Sequence, residues 1–271
     1  MTATCTAPAA LARLSMEEKL LRFADPRFRF EPEEHRYFLG ERELVGASAW
    51  LDRYKDPFIR ENIGPGVAAS RGVSVEEVYA EWDRAPIIGT KTHSFIEGHY
   101  DYARGLLSTP PELFAGDGEV TLRCLKFLDL AGGRLANYEP VAQELRMFYV
   151  PPGWEQDEDY VLEGYCGTAD LLARHKPSGN LYLIDWKTSK KIDRQTDKIW
   201  GYLKKDFSDL AKHEHNVYSL QISFYRVVLE LNGIQTAGGA IGWLPTGATA
   251  AELIPAIDYR ARIRPLLLQA A

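Results

Sequence analysis

The stretch "NLYLIDWKTSKK" (180–191) carries an acid and a base two residues apart, at the end of an apolar run. Residues 181–184 read as a buried strand. Period-two alternation then puts Asp185 and Lys187 on one face and Trp186 on the other. Upstream, "GTADLLARHKPSGN" (167–180) reads as the partner strand of a hairpin with its turn at 176–179. Counting back from that turn sets His175 opposite Asn180, Ala173 opposite Tyr182 and Asp170 opposite Asp185. Directly opposed side chains stand about 4.5–5.5 Å apart on one face, and like charges there oppose folding. Burial beside Leu172 and Leu183 raises the cost. A hard divalent cation resolves the conflict, and two carboxylates with open water positions suit Mg²⁺ or Mn²⁺. The plainer alternative is a surface ion pair from Lys187 to Asp170, and an Asp-x-Lys triplet arises by chance roughly once in a chain of this size.

Two further pairs have helical spacing. "GTKTHSFIEG" places His93 and Glu97 at i and i+4 of a predicted helix. "NVYSLQISFYRVVLE" places Gln221 and Tyr225 at the same spacing, beside an apolar stripe of Val217, Leu220, Phe224, Val228 and Leu231. Either pair alone reads first as ordinary structure: a lone His is usually structural, and Gln–Tyr is usually a helix-surface pair.

These residues need a scaffold. "SMEEKLLRF" has a capping box, Ser15 with Glu18, and starts a short helix. "RFRFEPEEHRYFLGERELVG" reads as short strands with turns at "EPEE" and "LGER". "ASAWLDRYKDPFIRENIG" reads as helix, "GPGVAASRG" (64–72) as a loop, and 74–84 and 90–106 as two helices. "GDGEVTLRCLKFLDLAGG" holds another helix, and "YEPVAQELRMFYV" (138–150) is a strand followed by a polar turn. After the hairpin, a helix is expected from about 217 to 231 with Asn216 as N-cap and Gly233 as its stop. "AGGAIGWLP" and "AELIPAID" add two strands before a final helix. The fold class expected is α/β (α+β), a central mixed β-sheet flanked by helices, in one domain: 1–84 as N-terminal hairpin and helices, 85–271 as the core.

With 271 residues, 45% hydrophobic, 26% charged and a net charge of -6, the chain can bury a substantial core. The charge does not advertise a nucleic-acid binder, and it excludes none, because local patches and metal outweigh the total. Cys5, Cys124 and Cys166 are far apart and form no CxxC pair, so neither a zinc nor an iron–sulfur site is expected. No run approaches the ~20 apolar residues of a membrane span, and the start has no signal-peptide pattern. A cytoplasmic setting, with no membrane partner, is the expectation.

Taken in order, "GTKTHSFIE", "QELRMFY", "GTAD", "IDWKTS" and "QISFY" resemble the RecB-type exonuclease branch of the PD-(D/E)XK nuclease superfamily, which includes phage exonucleases and the mitochondrial genome-maintenance exonuclease. The likeness covers roughly 85–232, and "FEPEEHRYFL" resembles the lead-in of phage members. It implies a restriction-endonuclease-like core and a metal-dependent nuclease. It implies Asp170, Asp185 and His93 as metal ligands, with the backbone carbonyl of Trp186 as a further contact. Lys187 would orient or activate the attacking water and stabilise charge on the phosphate. Gln221 and Tyr225 match the Gln-x-x-x-Tyr motif near DNA and active site. Glu144 matches an acidic position before the first Asp, and Glu97 is a weaker match. The adaptation nucleases of this branch carry four cysteines for an iron–sulfur cluster; no cysteine follows Gln221 here, so none is expected. No Walker-type motif is present, so a helicase, like a recombinase, would be a separate chain.

Segment 186–215 has eight Lys/Arg against five Asp/Glu, with Trp200, Tyr202 and Phe207 interleaved. Cations with aromatics suit a single-stranded track, and Lys190, Lys191, Lys204 and Lys205 are candidate phosphate contacts. A solvated loop with aromatic anchors is the alternative. The function expected is an exonuclease acting on DNA ends in repair, recombination or replication. The rivals are a structure-specific or flap endonuclease, a non-catalytic DNA-end-binding module, and an unrelated α/β protein.

Overall fold

The computed structural model describes residues 11, 13–159, 161–194, 199 and 201–268. Helix α1 (Met16–Leu21) has the expected reciprocal Ser15/Glu18 capping box. Strands β1 (Phe28–Glu31), β2 (Arg36–Leu39) and β3 (Arg42–Gly46) form an antiparallel meander with turns where the sequence sets them. Helices α2 (Ala47–Asp52), α3 (Arg60–Arg71), α4 (Val75–Ala103) and α5 (Gly118–Gly132) follow. Then come β4 (Tyr138–Tyr149), β5 (Tyr165–His175), β6 (Leu181–Lys187), α6 (Glu214–Leu231), β7 (Gly238–Trp243), β8 (Glu252–Pro255) and α7 (Arg260–Leu268). The fold is α/β, a mixed eight-stranded sheet flanked by helices.

Strand β5 is the spine. It pairs antiparallel with β4 from end to end, which fills one edge. Its other edge is shared. Residues 171–174 pair antiparallel with β6, and Tyr165 and Cys166 pair in parallel with Val45 and Gly46 of β3. Between them, residues 167–170 have no ladder partner on that edge among the described residues, so the sheet opens there. Strand β6 continues in parallel to β7, and β8 closes that side antiparallel.

Alternation along β5 and β6 feeds two cores. Leu171, Ala173, Ile184 and Trp186 pack with Phe95 and Ile96 of α4 and Phe127 of α5. Leu172 and Leu183 pack on the other side with Leu220, Phe224 and Val228 of α6, beyond which lie Ile263 and Leu267 of α7.

Five expectations need correction. The "GPGVAASRG" segment is helical within α3: Gly64 admits the Tyr79 ring so closely that a Cβ there would lie 2.5 Å from it, and this packing overrides the loop propensity of Gly and Pro. The "ASAWLDRYKDPFIRENIG" stretch is two helices, broken ahead of Pro57, where the residue before proline disfavours helix. The two helices of 74–106 are one, α4, which runs through Pro86 and across the 84/85 division. Helix α6 starts at Glu214 with His213 in the N-cap position, and Asn216 lies inside it, donating to the Ala211 carbonyl. That helix has no single apolar stripe. Ile222, Tyr225, Val227 and Leu229 are buried too, because α6 is wedged between sheet, α2 and α7.

Candidate metal centre and its lysine

The hairpin register is the one counted from the sequence. Ala173 pairs with Tyr182 and Leu171 with Ile184, and one further step sets Asp170 across from Asp185. The ladder itself ends before that step. There the Asp170 carboxylate turns into the seam between the strands, and its Oδ2 accepts the backbone amide of Trp186 at 2.6 Å. On the other edge, Gln143 pairs with Leu171 and Leu145 with Ala169, so Glu144 stands opposite Asp170. Glu144, Asp170 and Asp185 thus occupy one row across β4, β5 and β6.

Glu144 takes a left-handed backbone conformation, φ 42°, in the middle of a strand, where a side chain with a Cβ rarely goes and where the cost is of order 1–3 kcal/mol. From α4, His93 Nδ1 comes within 3.6 Å of Asp170 Oδ1. One ligand atom each from His93, Glu144 and Asp170 lies within 4.8 Å of the others. Two donors about 2.1 Å from one Mg²⁺ stand about 3 Å apart when adjacent and about 4.2 Å when opposite. A cluster bounded at 4.8 Å is slightly wider than that span, so its side chains would draw together on such an ion. Two acids and one imidazole also suit Mn²⁺. Glu97 lies one turn along α4, exposed, and adds to the negative field felt by Glu144.

Asp185 does not join that triad. It is 2% exposed, and Lys187 Nζ stands 2.5 Å from its Oδ2. That oxygen has no hydrogen bond of ordinary geometry among the described residues, so the ammonium is its close partner as an ion pair. Lys187 also donates to Gln221 Oε1 at 3.1 Å and lies 4.9 Å from the Tyr218 ring centroid. Gln221 Nε2 donates in turn to the Tyr225 hydroxyl at 2.8 Å. The i, i+4 pair is therefore a clamp: Tyr225 fixes the amide, and the amide fixes the ammonium. His93 reaches the row from one face of the sheet and Gln221 with Tyr225 from the other. Tyr218 is a contact that the sequence motifs do not mark.

Gly167 explains the first position of "GTAD". A Cβ there would lie 2.5 Å from the Tyr225 ring, so glycine lets the tyrosine pack directly against β5. Trp186 faces away, its indole buried edge-on to Phe127 at 5.4 Å, and it meets the site through its backbone amide.

The crowding of acids is visible in their protonation. Burial first, then the neighbouring Asp170, pushes Glu144 up to about 7. Burial, then Asp185, pushes Asp170 up to about 6, against the opposing pull of His93 and Lys187. For Lys187, burial favours the neutral amine, but Asp185 and Asp170 outweigh it and hold the pKa above the ordinary lysine value. It is an ammonium at neutral pH. Burial, then Asp185, raises Tyr225 well above the usual phenol range.

A cleft of about 920 Å³ opens onto Glu144, Asp170, Asp185 and Lys187 and extends past the β2–β3 hairpin toward Arg53.

The basic segment is less free than its composition suggests. Lys190 pairs with Glu81 at 2.7 Å, Lys191 with Asp193, and Lys204 with Asp56 at 2.5 Å. Lys205 is exposed at a turn with φ 52°. Phe207 is fully buried against Trp50 and Tyr54, so it is a core anchor and not a stacking surface. Tyr202 is exposed, and Trp200 lies outside the described residues. Cys124 and Cys166 are buried in the two separate cores.

No protein-family model matches the chain, and no curated protein matches it. Among solved structures, the crystal structure of SSO0001 is similar at a TM-score of 0.36 and 13% identity, over 96% of this chain and 82% of that one.

Proposed function

We propose that this chain is a metal-dependent deoxyribonuclease of the PD-(D/E)XK type, with a restriction-endonuclease-like core, acting as an exonuclease at DNA ends. The observation that carries the reading is the juxtaposition of the His93–Glu144–Asp170 cluster with a buried ammonium, Lys187, held by Asp185 and Gln221. His93, Glu144 and Asp170 would hold Mg²⁺ or Mn²⁺, with Asp185 and the Trp186 carbonyl as further oxygen donors. Such an ion supplies Lewis acidity, making a water nucleophilic near neutral pH and neutralising phosphoryl charge.

The chain's own groups do the rest. Lys187 stays protonated, so its part is to orient water and meet charge developing on the phosphate, not to accept a proton. Gln221 and Tyr225 keep it aimed. Among the described residues no helix is long and apolar enough to cross a membrane, and the reading places the enzyme in the cytoplasm of a bacterial or phage-infected cell. It would work in repair, recombination or replication, with any helicase or recombinase as a separate chain.

Linear and circular DNA, each with Mg²⁺, Mn²⁺ or EDTA, test the reading. Metal-dependent loss of linear DNA alone is the expected result. Cutting of circles makes the protein an endonuclease, and intact DNA under every condition contradicts a nuclease.

A further inference from the structure

One aromatic group lies outside the metal site and has no role in it. Phe58, just ahead of α3, is 66% exposed. Its ring meets Trp82 of α4 at 5.1 Å, and Trp82 meets Tyr79 at 5.7 Å. The Arg60 guanidinium lies over the Tyr79 ring at 4.1 Å. Ile59, next in the chain after Phe58, is exposed too. A large exposed ring next to a second and third ring is a costly surface unless something covers it.

Its position suggests what does. Trp82 and His93 are eleven residues apart on α4, three helical turns within about 20°, so they share one face of the helix about 17 Å apart. Gly89 lies on that face between them, where a Cβ would stand 3.7 Å from Thr188 Oγ1. The chain leaving Lys187 therefore runs along the same helix face toward the rings and reaches Glu81 through Lys190. The charge along this path favours phosphate. Glu81 is shared by two cations, Arg71 and Lys190, and Asp56, two residues before Phe58, is shared by Lys204 and Lys212. Each of these two groups keeps one surplus positive charge, while Arg60 at the rings is balanced by Asp83.

We propose that Phe58 and Trp82 form a base-stacking platform for a single strand of DNA whose end lies at Asp170. The direction of the strand rests on the nuclease reading; the binding does not. At about 3.4 Å per stacked nucleotide, the platform sits on the order of five nucleotides from the metal cluster. Every base offers a π-face, so the platform is indifferent to sequence. A protein partner on the same rings would need no such path to the acids.

The test uses the full chain in EDTA, where nothing is cut, and follows binding of a fluorescent (dT)20 and of an abasic 20-mer. Phe58→Ala and Trp82→Ala are each expected to weaken (dT)20 binding about ten-fold while changing abasic binding less than about two-fold. Trp82→Phe should restore most of the loss, which separates stacking from damage to the α3–α4 packing. Unchanged (dT)20 binding, or equal loss on both strands, overturns the platform. If the wild type binds neither strand, the proposal falls and a protein partner becomes the reading of the patch. A wild type that shows the stacking pattern but never cuts DNA with Mg²⁺ refutes the nuclease and leaves the platform standing. One that cuts while its ring variants bind (dT)20 normally refutes the platform alone.

Discussion

Glu144 and Asp170 face each other across β4 and β5, at the step between Gln143–Leu171 and Leu145–Ala169. There Glu144 leaves the strand conformation for φ 42°. Two half-buried carboxylates side by side, one on a strained backbone, are an arrangement that opposes folding by itself. In the proposed account a cation resolves it.

Metal should therefore stabilise the protein. At a concentration 100 times its dissociation constant, Mg²⁺ adds about 2.7 kcal/mol, about 5 °C or more in melting temperature for a domain of this size. Differential scanning fluorimetry with Mg²⁺ and with EDTA measures it. Glu144→Gln and Asp170→Asn should each lose most of the shift. A wild-type melting temperature indifferent to Mg²⁺ and Mn²⁺ would rule out the cluster as a metal site.

The raised carboxyls fix the pH behaviour. Unfolded, both groups titrate near 4; folded, Asp170 moves to about 6 and Glu144 to about 7. Between these limits the native state holds more protons than the unfolded state, so the stability these groups contribute is present below pH 4 and lost as pH rises through 6 and 7. Without metal, the melting temperature should fall from pH 6 to pH 8, and Glu144→Gln should flatten that fall. With Mg²⁺ the trend reverses, because the ion competes with protons. Titrating Mg²⁺ at pH 6 and pH 8 should give the tighter binding at pH 8.

Lys187→Ala leaves Asp185 buried without its cation, which costs about 3 kcal/mol or more in the metal-free protein. Adding Asp185→Asn to it should restore much of that stability, since no buried charge is then left alone. Activity should stay absent in both. Urea unfolding alongside a nuclease assay separates the two effects. Activity regained in the double variant would show that Lys187 serves folding alone.

Gly167→Ala places a Cβ 2.5 Å from the Tyr225 ring. The tyrosine must move, and with it Gln221 and the ammonium it holds. The expected result is a loss of roughly 1–3 kcal/mol in stability and a fall in cleavage rate with metal affinity little changed. Equal loss of metal binding would mean that the strand, not the clamp, was disturbed.

How much of this was legible depended on how local each relationship is. Asp170 and Asp185 are joined by a four-residue turn, so a count of residues sets their register, and the structure has it. Gln221 and Tyr225 are one helical turn apart, so their contact follows from spacing. Glu144 is different. About fifteen residues separate β4 from β5, and no count across such a loop fixes a register; only the assembled sheet puts Glu144 against Asp170. The same holds for the lysines. Composition made 186–215 basic, but the carboxylates that answer Lys190 and Lys204, Glu81 and Asp56, come from distant parts of the chain. Helix α3 was hidden by its Gly-Pro-Gly because the Tyr79 ring that rewards a missing Cβ belongs to α4.

The most direct measurement is nucleotide release from end-labelled linear DNA by the wild type and by Lys187→Ala/Asp185→Asn, with Mg²⁺ and with EDTA. The account predicts release by the wild type with Mg²⁺, none with EDTA, and a fall of about 10²-fold or more in the double variant even with Mg²⁺. Equal release by both proteins, or release by the wild type that EDTA does not stop, would contradict it.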